Sequence, residues 1–307
     1  MAYPQRITAV NILTVCRQCG GVGTLAPMAE LTPENFISIR QAVDTALDLA
    51  ASVTLPKFRE PIDVRNKLAV GFDPVTQADR EAEQVLRDSL MKALPHAGFL
   101  GEEDSVPPKI GNVVDSIRVN EALQKQLTWV VDPIDGTRAF ITGLPLWGTL
   151  VALNDGKQVV FGALDQPWLQ ERFVGWDGQA ERIHKGQRSP LRTRAPRALS
   201  EAILQTTTPD MFNDESSLAG FNRVKNAAAM TRYGGDCYAY ALLAMGGIDA
   251  VIESSLQPYD IQALIPIVEG AGGVITNWEG LPCLDGGRVI AAANHDIHAQ
   301  LIAELGA

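Results

Sequence analysis

The sequence predicts a layered α/β protein. Three observations predict it. Apolar residues recur at helical spacing in some stretches and form short strand-like runs in others, the two kinds interleave along the chain, and two central runs are joined by a hairpin signal. The chain has 307 residues, 46% of them apolar and 20% charged, enough to bury a large core as one domain or two packed halves.

The first 27 residues carry Arg6 and Arg17 but no acid, and read as an N-terminal extension ahead of a natural start at Met28. A weak targeting segment is the alternative. Thr32-Pro33 opens a helix, Thr32 as N-cap and proline at the first helical position. Its inward face is Phe36, Ile39, Val43, Leu47 and Ala50. A second helix starts near Thr76, with Ala82, Val85, Leu86 and Leu90 inward, and Gly98 to Leu100 leads into an acidic cluster. Ser105 to Lys125 reads as a loop or weak helix. Trp129-Val130-Val131 is a buried strand ended by Asp132-Pro133. Thr149–Leu153 and Val159–Leu164 flank Asn154-Asp155-Gly156, a hairpin signal. Arg182 to Arg197, basic and bearing Pro190 and Pro196, is the candidate boundary between halves at 28–190 and 191–307. Beyond it the expected elements are a strand at Ala202–Gln205, a helix at Asp236–Met245, a strand at Asp249–Glu253, a helix from Asp260 to Ala271 and a strand at Val274–Asn277.

Composition narrows the function. A net charge of −10, from 36 acids and 26 bases, argues against a nucleic-acid surface. No apolar run reaches the roughly 18 to 20 residues that span a bilayer. Four cysteines do not make a disulfide framework at this length, so a cytoplasmic location is expected. Cys16 and Cys19 form half of a zinc motif without a second half, while Cys237 and Cys283 read as inert buried thiols. His96, His184, His295 and His298 show no metal pattern and are expected on the surface.

The chemistry lies in three acidic segments: Gly101-Glu102-Glu103-Asp104, Asp132-Pro133-Ile134-Asp135-Gly136-Thr137 and Pro258-Tyr259-Asp260. Carboxylates from separate segments suit Mg²⁺, a hard cation that prefers oxygen. Pro133 stiffens the turn, Gly136 admits unusual backbone angles, and the Ile134 carbonyl adds an oxygen to those of Asp132 and Asp135. Gly136 and Thr137 would open a helix whose N–H groups suit a phosphate. Each acid also has a plainer reading. Asp-Pro and Asp-Gly are common turns, Asp260 and Asp236 can cap helices, and Asp79 can complete a capping box with Thr76. The two aspartates stand three apart, unlike the pair two apart in aspartyl-nucleophile phosphatases.

These segments resemble the inositol-monophosphatase-like family of Mg²⁺-dependent, Li⁺-sensitive phosphatases. The matching stretches are VTQAD (75–79), GEE (101–103), WVVDPIDGTRAF (129–140) and PYDIQALIPIVEGAGG (258–273), in the family's order, covering roughly Leu31 to the C-terminus. Tyr259 departs from the tryptophan that many members carry. The resemblance implies an αβαβα sandwich, a homodimer, and a small phosphate monoester as substrate with two or three Mg²⁺ ions per site. It implies Glu102, Asp132, the Ile134 carbonyl, Asp135 and Asp260 as metal ligands, and Thr137, Asp79 and Glu102 as catalytic residues, Thr137 and Asp79 being the pair that orients and deprotonates water. Gly136 and Thr137 would hold the phosphate, and Asp236 and Glu253 would face the rest of the substrate. Two carboxylates there favour a cationic substrate over a neutral polyol. With RAFITGLPLWGTLVAL and YGGDCYAYALL, this resembles the histidinol-phosphate phosphatase branch, which implies hydrolysis of L-histidinol phosphate in histidine synthesis. The alternatives are an inositol or sugar phosphatase and, less in keeping with the complete acidic set, a non-catalytic binding protein on the same scaffold.

Overall fold

The computed structural model describes residues 31–61, 63–66, 74–103 and 125–306. The expected N-terminal extension with Cys16 and Cys19, and all but Lys125 of the 105–125 stretch, lie outside the described residues.

Helix α1 (Pro33–Thr54) begins where the sequence places it. The Asn35 N–H donates to Thr32 Oγ1 at 3.3 Å and the Thr32 N–H to Asn35 Oδ1 at 2.9 Å, satisfying two otherwise orphaned groups. A short antiparallel pair, β1 (Val64–Asn66) and β2 (Pro74–Thr76), leads into α2 (Gln77–Ala93). The buried faces of the two helices, Ile39, Val43, Leu47 and Ala50 against Ala82, Leu86 and Leu90, share a core with Trp129 and Val131 of the sheet beneath.

Among the described residues that sheet has seven strands in sequence order: β3 (Gly98–Gly101), β4 (Thr128–Asp135), β5 (Gly148–Asn154), β6 (Val159–Gln166), β7 (Glu171–Trp176), β8 (Gln179–His184) and β9 (Gln187–Pro190). Among the described residues only β3 and β4 run parallel; the rest is an antiparallel meander. The β5–β6 hairpin is the expected one, its turn held by the Gly156 N–H on Asn154 Oδ1 at 2.6 Å. The basic stretch 182–197 is not all connection. Its first part completes β8 and forms β9, because cross-strand pairing satisfies a polar edge strand that shows no apolar alternation.

Helix α3 (Thr137–Thr142) follows β4. The second sheet holds β10 (Ile203–Thr206), β11 (Met230–Tyr233), β12 (Ala250–Leu256), β13 (Val274–Asn277) and β14 (Gly287–Ala292), ordered β11-β10-β12-β14-β13. Its helices are α4 (Glu215–Ala227), α5 (Asp236–Ala244), α6 (Pro258–Ile261), α7 (Leu264–Gly270) and α8 (His295–Gly306). Helices α5 and α7 fill the space between the sheets, where Tyr240, Leu243, Leu264 and Val268 meet Leu150 and Leu164 on one side and Val251 and Ala291 on the other. Helices α4 and α8 cover the far face through Phe221, Val224, Leu301 and Leu305. The layers are therefore αβαβα, as expected.

The single helix expected over 260–271 is broken into α6 and α7. Pro266 has no N–H to donate to Gln262, and in a continuous helix its ring would strike that carbonyl. Beneath the break the main chain rests on the sheet. A Cβ added at Gly162 would fall 2.1 Å from the Ala263 oxygen, and one at Gly175 2.3 Å from the Pro266 carbonyl. Only glycine fits at these two strand positions. His298, expected on the surface, is instead buried on α8, its Nε2 2.7 Å from Thr276 Oγ1. Cys237 and Cys283 are free and buried.

Candidate active site

The site grows from the end of β4, a strand buried along almost its whole length. Pro133 cannot donate to the ladder, and the register against β5 shifts between Asp132 and Asp135. The Ile134 N–H turns back to Asp132 Oδ1 at 3.0 Å, and Thr149 Oγ1 donates to the Pro133 carbonyl at 2.9 Å. Gly136, at φ +81°, then swings the chain into α3. A Cβ there would lie 3.1 Å from Asp236 Cβ and 3.2 Å from Trp147 Cα, so angle and space both call for glycine.

Asp132, Asp135 and Asp260 converge. One oxygen from each lies within 4.8 Å of the other two. Burial first, and then the neighbouring charges of Glu102, Asp135 and Asp260, push the Asp132 carboxyl well above the ordinary carboxylate range. Asp135 is raised by burial, Asp236 and Asp260, partly opposed by the Cys237 N–H at the start of α5, which donates to Oδ2 at 2.7 Å. Asp260 does cap its helix, accepting the Gln257 N–H at 2.7 Å on Oδ2, and still takes its place among the three. Glu102 stands on the Asp132 side rather than inside the three-way group, its carboxyl within hydrogen-bond reach of Asp132. Its N–H donates to the Val131 carbonyl at 3.2 Å, fixing the turn to β4.

Asp79 likewise does what both readings allow. It closes the capping box of α2, accepting the Thr76 N–H at 2.9 Å and Thr76 Oγ1 at 2.5 Å. Its other oxygen lies 3.5 Å from Thr137 Oγ1, which donates to the Ile134 carbonyl at 3.1 Å. Burial holds its carboxyl above the ordinary carboxylate range despite these bonds, and the charge of Glu102 adds to the rise.

A cavity of about 280 Å³ opens beside the cluster, lined by Gly136, Thr137, Arg138, Asp236, Glu253 and Asp260 among others. Asp236 does not cap α5. Gly235 occupies the cap position without a side-chain bond, and Asp236 itself sits at φ +44°, a strained angle for a residue with a Cβ. Burial pushes its carboxyl up to about 6, against the opposing pull of Arg138. Glu253 is held from both ends: Oε1 accepts the Thr207 N–H at 3.0 Å and Thr207 Oγ1 at 2.5 Å, and Oε2 accepts the Tyr240 hydroxyl at 2.8 Å. Burial lifts it to about 7 in spite of those donors.

The residues present fit a divalent cation. The donor set is oxygen alone, and three carboxylates gathered this closely, Asp132 buried and Asp135 and Asp260 half-buried, can all ionise together only beside positive charge. Every residue expected at the site lies at this one edge of the seven-stranded sheet or lines the cavity beside it. Sequence reasoning gave no site role to Thr207, Tyr240, Arg138 or Cys237; the last three lie inside the quoted stretches WVVDPIDGTRAF and YGGDCYAYALL, while Thr207 lies in none.

A five-layer fold with an acidic cluster able to hold a metal ion beside a polar cavity suits metal-assisted hydrolysis of a small polar substrate, the work of a phosphatase. The family model for the inositol monophosphatase family matches residues 38–307. The chain belongs to that family. A bifunctional phosphatase IMPL2, chloroplastic, of Arabidopsis thaliana is 39% identical over 274 residues, covering 86% of this chain and 74% of its own. A histidinol-phosphatase of Chlorobaculum parvum is 31% identical, covering 90% of this chain and 98% of its own. Among solved structures, an inositol monophosphatase from Zymomonas mobilis superposes with a TM-score of 0.73 at 36% identity, covering 89% of this chain and 98% of that one.

Proposed function

We propose that the protein hydrolyses L-histidinol phosphate to L-histidinol and phosphate. Asp236, half-buried, and Glu253, fully buried, line the same cavity and carry this reading, because an ammonium or imidazolium group would offset charge that a neutral polyol leaves uncompensated. Relatives named histidinol-phosphatase support it.

In this reading Glu102, Asp132, the Ile134 carbonyl, Asp135 and Asp260 hold Mg²⁺, two or three ions in all. When bound, Mg²⁺ supplies positive charge that offsets the phosphoryl oxygens and lowers the cost of ionising water. Thr137 orients the attacking water. Asp79, behind the Thr137 hydroxyl, receives its proton, Glu102 helps to place that water, and the alcohol released as the ester P–O bond breaks takes up a proton from solvent. The Gly136 and Thr137 backbone holds the phosphate at the start of α3, and Asp236 takes the cationic end of the substrate. A homodimer in the cytoplasm completes the proposal, checked by light scattering and fractionation.

A second reading, hydrolysis of an inositol or related sugar phosphate, is favoured by Glu253. Its oxygens are already held by Thr207 and Tyr240, which makes it a fixed hydrogen-bonding partner suited to hydroxyls as well as to cations. Phosphate release from histidinol phosphate and inositol 1-phosphate under saturating Mg²⁺ decides between them. The first reading expects histidinol phosphate to turn over at least about tenfold faster, and Asp236→Asn to narrow that ratio through KM. Faster release from the inositol ester would overturn it.

A further inference from the structure

One carboxylate close to the site has no part in the mechanism above. Glu83 lies one turn beyond Asp79 on the inward face of α2, and it is fully buried, 0% exposed. A buried carboxylate is costly unless it is held, and this one is held specifically. Its Oε2 accepts the Glu103 N–H at 2.7 Å, and its Oε1 accepts Arg87 Nη2 at 3.1 Å. The Arg87 guanidinium is itself seated 4.0 Å over the ring of Phe99 in β3. The carboxyl group also occupies the space a side chain at 101 would need, since a Cβ on Gly101 would fall 2.5–2.6 Å from all three of its carboxyl atoms.

The turn that carries Glu102 is therefore gripped from two sides. The Glu102 N–H is fixed to Val131, the residue before Asp132, and the next N–H along is fixed to Glu83 on α2. Asp79 and Glu83, four residues apart on one helix, reach the Thr137 hydroxyl and the Glu102 turn respectively. Helix α2 thus sets the spacing between the water-side acid and the Glu102 carboxylate.

We propose that Glu83 is a positioning residue, which holds the Glu102 turn so that its carboxylate meets the Asp132 end of the metal cluster. This rests on the proposed role of Glu102 as a ligand. The geometry assigns the work to the bond with the Glu103 N–H, and gives Arg87 the lesser task of balancing charge.

The test is calorimetric titration of Mg²⁺ into the full-length protein without substrate, with thermal unfolding of the metal-free forms alongside. Wild-type protein that takes up no Mg²⁺ would overturn the metal-site reading itself; every further outcome bears on Glu83 alone. Glu83→Ala should weaken Mg²⁺ binding by about ten- to a hundredfold, as losses behind a ligand typically do. Glu83→Gln, which keeps an oxygen for the Glu103 N–H, should recover most of it. Arg87→Met should lower the unfolding temperature while weakening Mg²⁺ binding much less than Glu83→Ala. Should Glu83→Ala fail to fold, Gly101→Ala displaces the same carboxyl by contact and should likewise weaken Mg²⁺ binding. Unchanged affinity in the folded variants, or equal weakening in Arg87→Met and Glu83→Ala, would overturn the proposal.

Discussion

Asp132→Asn isolates the energetic logic of the acidic cluster. Asn keeps the oxygen that accepts the Ile134 N–H at 3.0 Å, so the turn after β4 should persist while one negative charge is lost. The oxygens of Asp132, Asp135 and Asp260 lie within 4.8 Å of one another. At an effective dielectric near 20, each ionised pair at that distance repels by about 3.5 kcal/mol, from 332/(20 × 4.8). Burial and these neighbours already push Asp132 toward its neutral form, which relieves part of that repulsion in the metal-free wild type. Metal-free Asp132→Asn should therefore be more stable than wild type at pH 8, by about 1–3 kcal/mol, or several degrees of unfolding temperature. The rise in unfolding temperature that Mg²⁺ gives the wild type should nearly vanish in the variant. Losing about 4 kcal/mol of transition-state charge compensation should cut phosphate release by about a thousandfold. Scanning fluorimetry with and without Mg²⁺, beside a phosphate-release assay, reads all three effects. A variant less stable than wild type without metal, yet stabilised by Mg²⁺ to the same extent, would refute the reasoning.

Two further outcomes follow from the same geometry. Glu253 is raised from 4.5 to about 7 on folding, so its stabilising share is complete below pH 4.5 and lost as pH rises through 7, a cost of about 3 kcal/mol at pH 8. Glu253→Gln should accordingly show its largest stability gain over metal-free wild type at pH 8, shrinking toward pH 5; a gain independent of pH in denaturant titrations would contradict this. Gly162→Ala would drive a Cβ to 2.1 Å from the Ala263 oxygen, so it should destabilise by roughly 3 kcal/mol and weaken Mg²⁺ binding by displacing the chain after Asp260. Calorimetry showing wild-type Mg²⁺ affinity would break that link.

What the sequence made legible were features whose determinants sit close together along the chain. Helices α1 and α2 announce themselves through Thr32 and Thr76, each followed by an inward apolar face. The Asp132–Thr137 turn was readable because strand end, proline, two acids and glycine fall within six residues. Helix α4 escaped notice because its buried face mixes Ser217 and Gly220 with Phe221 and Val224, leaving weak periodicity. Strand β7 was hidden by Glu171, which looks like a solvent residue but is buried and bound by Arg182 and the Tyr238 hydroxyl. Thr207 and Tyr240 matter at the cavity only because the fold brings them 46 and 13 residues across the sequence to Glu253. No local pattern carries such pairings, since they follow from tertiary packing.

The seating of α7 on bare backbone at Gly162 and Gly175 has a bearing on how this scaffold diversifies. Where side chains separate a helix from a sheet, exchanging one for a bulkier neighbour slides the two apart by fractions of an ångström, and whatever the helix carries drifts with them. Here there is no such cushion to thicken or thin. Asp260 is tethered a few residues upstream of a hard stop, whereas Thr207 follows β10, which packs through the ordinary side chain of Leu204. Selection, or a protein engineer, can recontour the organic end of the cavity around a new alcohol while the carboxylate cluster keeps its dimensions.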